Sequence, residues 1–138
     1  MKVLLADDSG LILERLQEMI SIYKQIDIVG SYMNGDDALE GLRILKPDLA
    51  IIDIKMPGLS GLEVLNEIRN ENKTIIFIIF TFSSSDYYRQ LAGELGADYF
   101  FSKVDDFDKV PTALREVLNN VNKNYKHEKD TNRIISHH

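Results

Sequence analysis

Leu49-Ala50-Ile51-Ile52-Asp53-Ile54-Lys55-Met56-Pro57-Gly58 joins an apolar run of strand length to one carboxylate and then to a turn. A continuous apolar run marks a strand buried on both faces, the situation of a parallel sheet covered by helices. Proline followed by glycine after Met56 supplies the turn. Asp53 thus stands at the carboxyl end of a buried strand, where open α/β sheets place their ligands. A lone Asp there is most simply a turn residue, so its meaning depends on what the other strand ends carry.

Toward the amino terminus, Val3-Leu4-Leu5-Ala6 is a short apolar strand that stops at Asp7-Asp8-Ser9. Ser9 or Asp8 is expected to cap a helix with a buried stripe of Ile12, Leu16, Met19 and Ile20. Asp27 to Tyr32 reads as a second strand centred on Ile28-Val29. A second helix starts at Asn34-Gly35, runs through Ala38, Leu39, Leu42 and Leu45, and is closed by Pro47.

Toward the carboxyl terminus, Ser60 and Glu63 have the spacing of a capping box for a third helix carrying Leu62, Leu65 and Ile68. Ile75 to Phe80 is the strongest strand signal and ends on Thr81. Ser83, Ser84, Ser85 and Asp86 offer caps for a fourth helix, with Tyr87, Leu91 and Leu95 as its stripe and Gly96 as its left-handed stop. Tyr99-Phe100-Phe101 is a short fifth strand leading to Ser102-Lys103. A fifth helix is expected over about residues 107–121, with Val110, Leu114, Val117, Leu118 and Val121 on one face and Pro111 in its first turn. From Asn119 the composition turns polar, and residues 123–138 read as a mobile tail ending in His137-His138, a pair that need not be native. The expected organisation is one domain over residues 1–122. Five alternations of strand and helix call for an α/β fold with a parallel sheet between two helical layers.

The chain's 138 residues suffice for one sizeable core. A net charge of −6 argues against a general nucleic-acid or anionic-membrane surface. Cysteine is absent, which excludes a disulfide framework, a thiolate zinc site and a thiol nucleophile. The first apolar run is too short for a signal peptide, and no stretch has the length of a membrane span. A soluble cytoplasmic protein is the expectation.

In a parallel sheet all strand carboxyl ends share one edge. Asp7-Asp8, Asp53, Thr81 and Lys103 then converge if their strands are neighbours. Clustered carboxylates repel, each close pair by on the order of a few kcal/mol even at high effective dielectric. Either one stays protonated or a cation sits among them. All-oxygen ligands with no Cys or His favour a hard cation, and Mg²⁺ fits. Asp8 is expected to ligate it directly and Asp7 partly through water, with Asp53 as ligand and nucleophile and the Lys55 backbone carbonyl as a further ligand. Lys103 would be the fixed cation and the Thr81 hydroxyl a donor to a phosphoryl oxygen, an arrangement suited to phosphoryl transfer.

With these residues assembled, the chain resembles a receiver domain of a two-component response regulator over about residues 2–120. The resemblance is carried by Asp7-Asp8, by Asp53 within Asp-Ile-Lys-Met-Pro-Gly, and by Gly61, Thr81, Gly96-Ala97-Asp98 and Lys103. It implies a (βα)5 flavodoxin-like, doubly wound parallel sheet of strand order 2-1-3-4-5. It also implies Mg²⁺-dependent transfer to Asp53 from the phosphohistidine of a sensor histidine kinase or phosphotransfer protein. The product is a phosphorylation switch rather than an enzyme. Thr81 and Phe100 would move together to change the face of helix four, strand five and helix five for a downstream protein target or linked output domain. Tyr87, Tyr88, Tyr99 and Phe107 are candidates to line that face, although aromatics at these spacings more often belong to the core.

Three departures stand out. Phe100 occupies the switch-aromatic position, often Tyr in the family. Val104 follows Lys103 in place of the common Pro, so a cis bond is not expected there. Phe82 is bulky where small residues are frequent, and is expected to narrow access to the phosphoryl group and slow attack by water.

Among rivals, a Mg²⁺-dependent aspartyl phosphatase resembling the haloacid-dehalogenase group uses a similar residue set. Its nucleophile, however, lies in an Asp-x-Asp after the first strand. A nucleotide-binding domain lacks its Gly-rich loop here. An unphosphorylated interaction module is the third reading. No output domain is expected beyond Asn122. A single-domain regulator of chemotaxis type, or an excised receiver, is therefore expected, as monomer or phosphorylation-dependent dimer, without direct contact to nucleic acid or membrane.

Overall fold

The computed structural model describes residues 1–131, with side chains through Val121; the last part of the expected tail, residues 132–138 with His137-His138, lies outside the described residues. Residues 1–107 form one unit and the chain from Asp108 a second.

The first unit is built on five parallel strands: β1 (Lys2–Ala6), β2 (Asp27–Tyr32), β3 (Leu49–Ile52), β4 (Ile76–Thr81) and β5 (Tyr99–Ser102). They lie in the order β2-β1-β3-β4-β5. Between them run α1 (Gly10–Ser21), α2 (Gly35–Leu45), α3 (Gly61–Glu71) and α4 (Asp86–Leu95). From β1 the chain crosses to β2 on one side, whereas from β2 onward it travels the opposite way. Right-handed crossovers therefore place α1 on one face of the sheet and α2, α3 and α4 on the other. The doubly wound expectation is met.

The strands sort their side chains accordingly. Leu4, Ala6, Ala50, Ile52, Phe77 and Ile79 join a core with Leu39 and Leu42 of α2, Val64, Leu65 and Ile68 of α3, and Ala92 of α4. The alternate residues Val3, Leu5, Ile51, Ile78 and Phe80 are as deeply buried and point to the face of α1, which buries Ile12, Leu13, Leu16 and Ile20. Burial of each such side chain contributes about 1.5–3 kcal/mol before conformational entropy is set against it.

Local chemistry sets the element boundaries. Ser9, not Asp8, caps α1, accepting the Ile12 N–H. Asn34 caps α2 through the Asp37 N–H, and Ser60 and Glu63 complete both halves of their capping box. Ser85 is the cap chosen from the Ser83–Asp86 run. Gly96 ends α4 at φ 103°, the left-handed region that favours glycine. Two residues on, Asp98 Oδ2 accepts the Phe77 N–H at 2.8 Å and the Arg69 guanidinium at 3.0 Å, anchoring the entry to β5.

Two stripes differ from expectation. Leu13 is buried where Met19 was expected and Met19 is half-buried. In α4, Tyr87 is exposed, and Tyr88 with Leu91, Leu95 and Ala92 faces the core. The second unit carries α5 (Lys109–Thr131), which ends beyond Val121, where its apolar stripe stops. Val110, Ala113, Leu114 and Val117 are buried, while Val121 is exposed. No described helix is long and apolar enough to cross a membrane.

Candidate functional site

The strand order creates one topological switch point. The chain leaves β1 toward β2 and leaves β3 toward β4, so the loops beyond these adjacent strands diverge and open a crevice at their carboxyl ends. Asp7-Asp8 follow β1 and Asp53 follows β3.

Backbone bonds fix both positions. The Asp7 N–H donates to Tyr32 O and the Asp53 N–H to Ala6 O, each at 3.0 Å. Gly61 makes the next turn possible: its N–H donates to Ile54 O at 2.8 Å, and a Cβ there would lie 2.0 Å from the Asp53 carbonyl oxygen. Asp7 and Asp53 are buried and Asp8 is exposed, and each offers a carboxylate oxygen within 4.8 Å of the other two.

Lys103 completes the group. Its side chain is 2% exposed, and its ammonium lies 2.5 Å from Asp7 Oδ2 and 2.9 Å from Asp53 Oδ2. The remaining oxygens are also engaged. Asp7 Oδ1 accepts the Ser9 N–H at 2.9 Å, and Asp53 Oδ1 accepts the Ile54 N–H at 2.7 Å. Three carboxylates and one ammonium leave an excess of negative charge. Burial pushes the Asp7 carboxyl above its ordinary value and the nearby Asp53 charge adds to this, while Lys103 and the Ser9 N–H act against them.

Thr81 is buried at the end of β4, its Oγ1 accepting the Ser83 N–H at 3.0 Å and its carbonyl accepting the Lys103 N–H at 2.9 Å. The adjacent Phe82 is exposed, and its ring lies 5.0 Å from the Lys103 ammonium. Lys55 sits two residues beyond Asp53 with its side chain exposed.

Phe100, on β5, packs against the core, and the Arg89 guanidinium lies 4.7 Å above its ring while donating to its carbonyl at 3.1 Å. Phe107 packs edge-on against Phe80 under Arg15. No peptide bond in the described chain is cis, as the Lys103-Val104 pair led one to expect.

One buried carboxylate beside the site was passed over in the sequence. Asp106 is 8% exposed and accepts the Ser102 N–H at 2.9 Å. It lies in the run Asp105-Asp106-Phe107-Asp108, which reads as a solvated acidic loop. Its Ser-x-x-x-Asp spacing from Ser102 was the available signal.

The donor set suits a small divalent cation: three hard carboxylate oxygens at the mouth of a crevice, with one of the three exposed to solvent and no thiolate in the chain.

Comparison with known proteins identifies the family. Residues 3–124 match the family model of the response regulator receiver domain. The chain is 33% identical over 118 residues to protein-glutamate methylesterase/protein-glutamine glutaminase 1 of Carboxydothermus hydrogenoformans, covering 85% of this chain and 35% of that protein. Among solved structures, a DNA-binding response regulator of the LuxR family from Staphylococcus aureus matches with TM-score 0.78 at 28% identity, covering 84% of this chain and 97% of that one. The response regulator domain of Thermotoga maritima CheB matches with TM-score 0.76 at 28% identity, covering 87% and 94%. The chain spans 35% to 58% of the length of the curated relatives it matches.

Proposed function

The chain belongs to the response regulator receiver domain family, and on that premise we propose that Asp53 is the phosphoacceptor of a signalling switch written by a histidine kinase or phosphotransfer protein. The observation that carries this reading is the single ammonium of Lys103 shared by Asp7 and Asp53 at the switch point of the sheet.

In the reaction, a bond forms between an Asp53 carboxylate oxygen and phosphorus as the donor's nitrogen–phosphorus bond breaks, the electron pair leaving on the imidazole. Asp53 is held for this by the Ile54 N–H on one oxygen and by Lys103 on the other. Lys103 then shifts its interaction from carboxylate to phosphoryl oxygen with little movement, and stabilises the charge that spreads over the transferring group. The Thr81 hydroxyl, whose oxygen already accepts from Ser83, keeps its proton to donate to a phosphoryl oxygen. Asp7, Asp8, Asp53 and the Lys55 carbonyl would hold Mg²⁺, which when bound neutralises phosphoryl oxygens.

Thr81 would pass the change to Phe100, altering the surface of α4 and β5 that a downstream protein or output domain reads. Hydrolysis of the acyl phosphate resets the switch. The chain thus assists its own modification without turning over a separate substrate.

The test is intact mass after incubation with acetyl phosphate and Mg²⁺. The expected result is gain of one phosphoryl group, labile to hydroxylamine, absent with chelator and absent in Asp53→Asn. No gain here, nor from any histidine kinase, overturns the reading and leaves an unphosphorylated interaction module.

A further inference from the structure

Among the described residues β5 is the last strand of the sheet, so one side of its backbone has no neighbouring strand there. Thr81 pairs with Ser102, and the Lys103 N–H donates to Thr81 O. Backbone groups alternate in a parallel pair, so the N–H and C=O of Ser102 point to the open side.

Asp106 meets both groups. Its Oδ2 accepts the Ser102 N–H at 2.9 Å, and its own N–H donates to the Ser102 carbonyl at 2.8 Å. The Ser102 hydroxyl in turn accepts from Val104 N at 3.2 Å and Asp105 N at 3.3 Å. One residue therefore supplies what a sixth strand would have supplied, and residues 102–106 close into a clasp. Ser102 and Asp106 are both buried, so these bonds are not exchanged readily for water.

The residue inside the clasp is Lys103. Its side chain has four rotatable bonds and a strongly hydrated head, and left to itself would favour solvent. Here the ammonium is held between Asp7 and Asp53 instead. With Thr81 O on one side of the strand and Asp106 on the other, the backbone from which that side chain extends is fixed in position and direction.

We infer that Asp106 is a positioning residue for Lys103, fixing the Ser102-Lys103 backbone so that the ammonium stays between the two buried carboxylates. The effect on phosphorylation rests on the phosphoacceptor reading of Asp53; the placement of Lys103 does not.

The test uses the full 138-residue chain and two readouts. The first is the ¹⁵N-detected ammonium signal of Lys103, visible only while the group is shielded from rapid exchange with water. The second is the rate of phosphorylation by acetyl phosphate with Mg²⁺, per folded molecule. Wild type and Asp106→Asn, whose amide oxygen still accepts the Ser102 N–H, are expected to show the protected signal. Asp106→Ala is expected to lose it and to react at least about tenfold more slowly.

Rescue by Asn separates positioning from general destabilisation. If the alanine variant does not fold, Asp106→Glu takes its place, moving the acceptor by one methylene, and a weakened signal is expected. A protected Lys103 signal and wild-type rate in Asp106→Ala, or an unchanged signal in the glutamate variant, overturns the inference. Loss of the signal with no phosphorylation even of wild type upholds it and overturns the function proposed for Asp53.

Discussion

Asp7 carries the clearest electrostatic conflict in the molecule. It is 1% exposed, its carboxyl is pushed upward by burial and by Asp53, and Lys103 and a backbone N–H only partly compensate. Below the ordinary carboxyl value of 3.8 the group is protonated whether the chain is folded or not, and ionisation costs the fold nothing. As pH rises from there toward the higher folded value, the unfolded chain releases its proton first, so stability is lost across that window and stays lost above it. Asp7→Asn removes the titration and keeps an acceptor for Ser9 N–H. With Asp53 remaining as the partner of Lys103, it is expected to raise stability at pH 7 relative to wild type. Melting curves of both proteins from pH 3 to 8 should converge at the acid end and separate as pH rises; parallel curves would refute the assignment. At this scale the sequence was informative because Asp7, Asp53, Thr81 and Lys103 each end or follow a strand. Asp106 was marked only by its spacing from Ser102, since its burial depends on a turn that neither periodicity nor composition encodes.

Among the elements, α3 is the one most tightly coupled to the site. It begins at Gly61, where an added methyl would meet the Asp53 carbonyl oxygen at 2.0 Å. Alanine is the better helix former by about 1 kcal/mol, but that gain is outweighed by a backbone clash. Gly61→Ala is expected to destabilise the fold by about 2 kcal/mol net in urea denaturation, against about 1 kcal/mol for Ser60→Ala, which only removes the cap. Equal effects would mean that the loop yields freely.

The strands and helices themselves were readable from apolar runs and caps, with errors of phase. In α4 the periodicity of large residues selected Tyr87, whereas the fully buried residue is Ala92, too small to register in an apolar count, and its stripe brings Tyr88 inward. The end of α5 was missed for a related reason. An apolar stripe reports where a helix is buried, and Lys, Glu and Asn carry it on to Thr131 without one.

For the molecule as a whole, periodicity predicts strands and helices but not the order of strands in the sheet. That order, 2-1-3-4-5, came from resemblance, and without it the convergence of Asp7, Asp8 and Asp53 does not follow. The assembled cluster makes a prediction for global stability. A cation that binds only the folded chain stabilises it by mass action, by about 2.7 kcal/mol at a hundredfold excess over its dissociation constant. Mg²⁺ should therefore raise the melting temperature of the full chain. Asp8→Asn, which removes an exposed carboxylate and so disturbs the apo fold little, should abolish most of that rise. A rise of equal size in the variant would place the ion elsewhere.

Asp53 is restrained on every side: its N–H by Ala6 O, one carboxylate oxygen by Ile54, the other by Lys103, and its carbonyl by the close approach of Gly61. As the phosphoacceptor we propose, such a group would have little orientational entropy left to lose on reacting. The loss accompanying encounter then falls on the incoming reagent. A small, freely tumbling donor surrenders its own translation and rotation at that moment, whereas one mounted on a docked protein has surrendered them beforehand. A stationary acceptor therefore distinguishes its donors by how ordered they arrive rather than by how strongly it grips them.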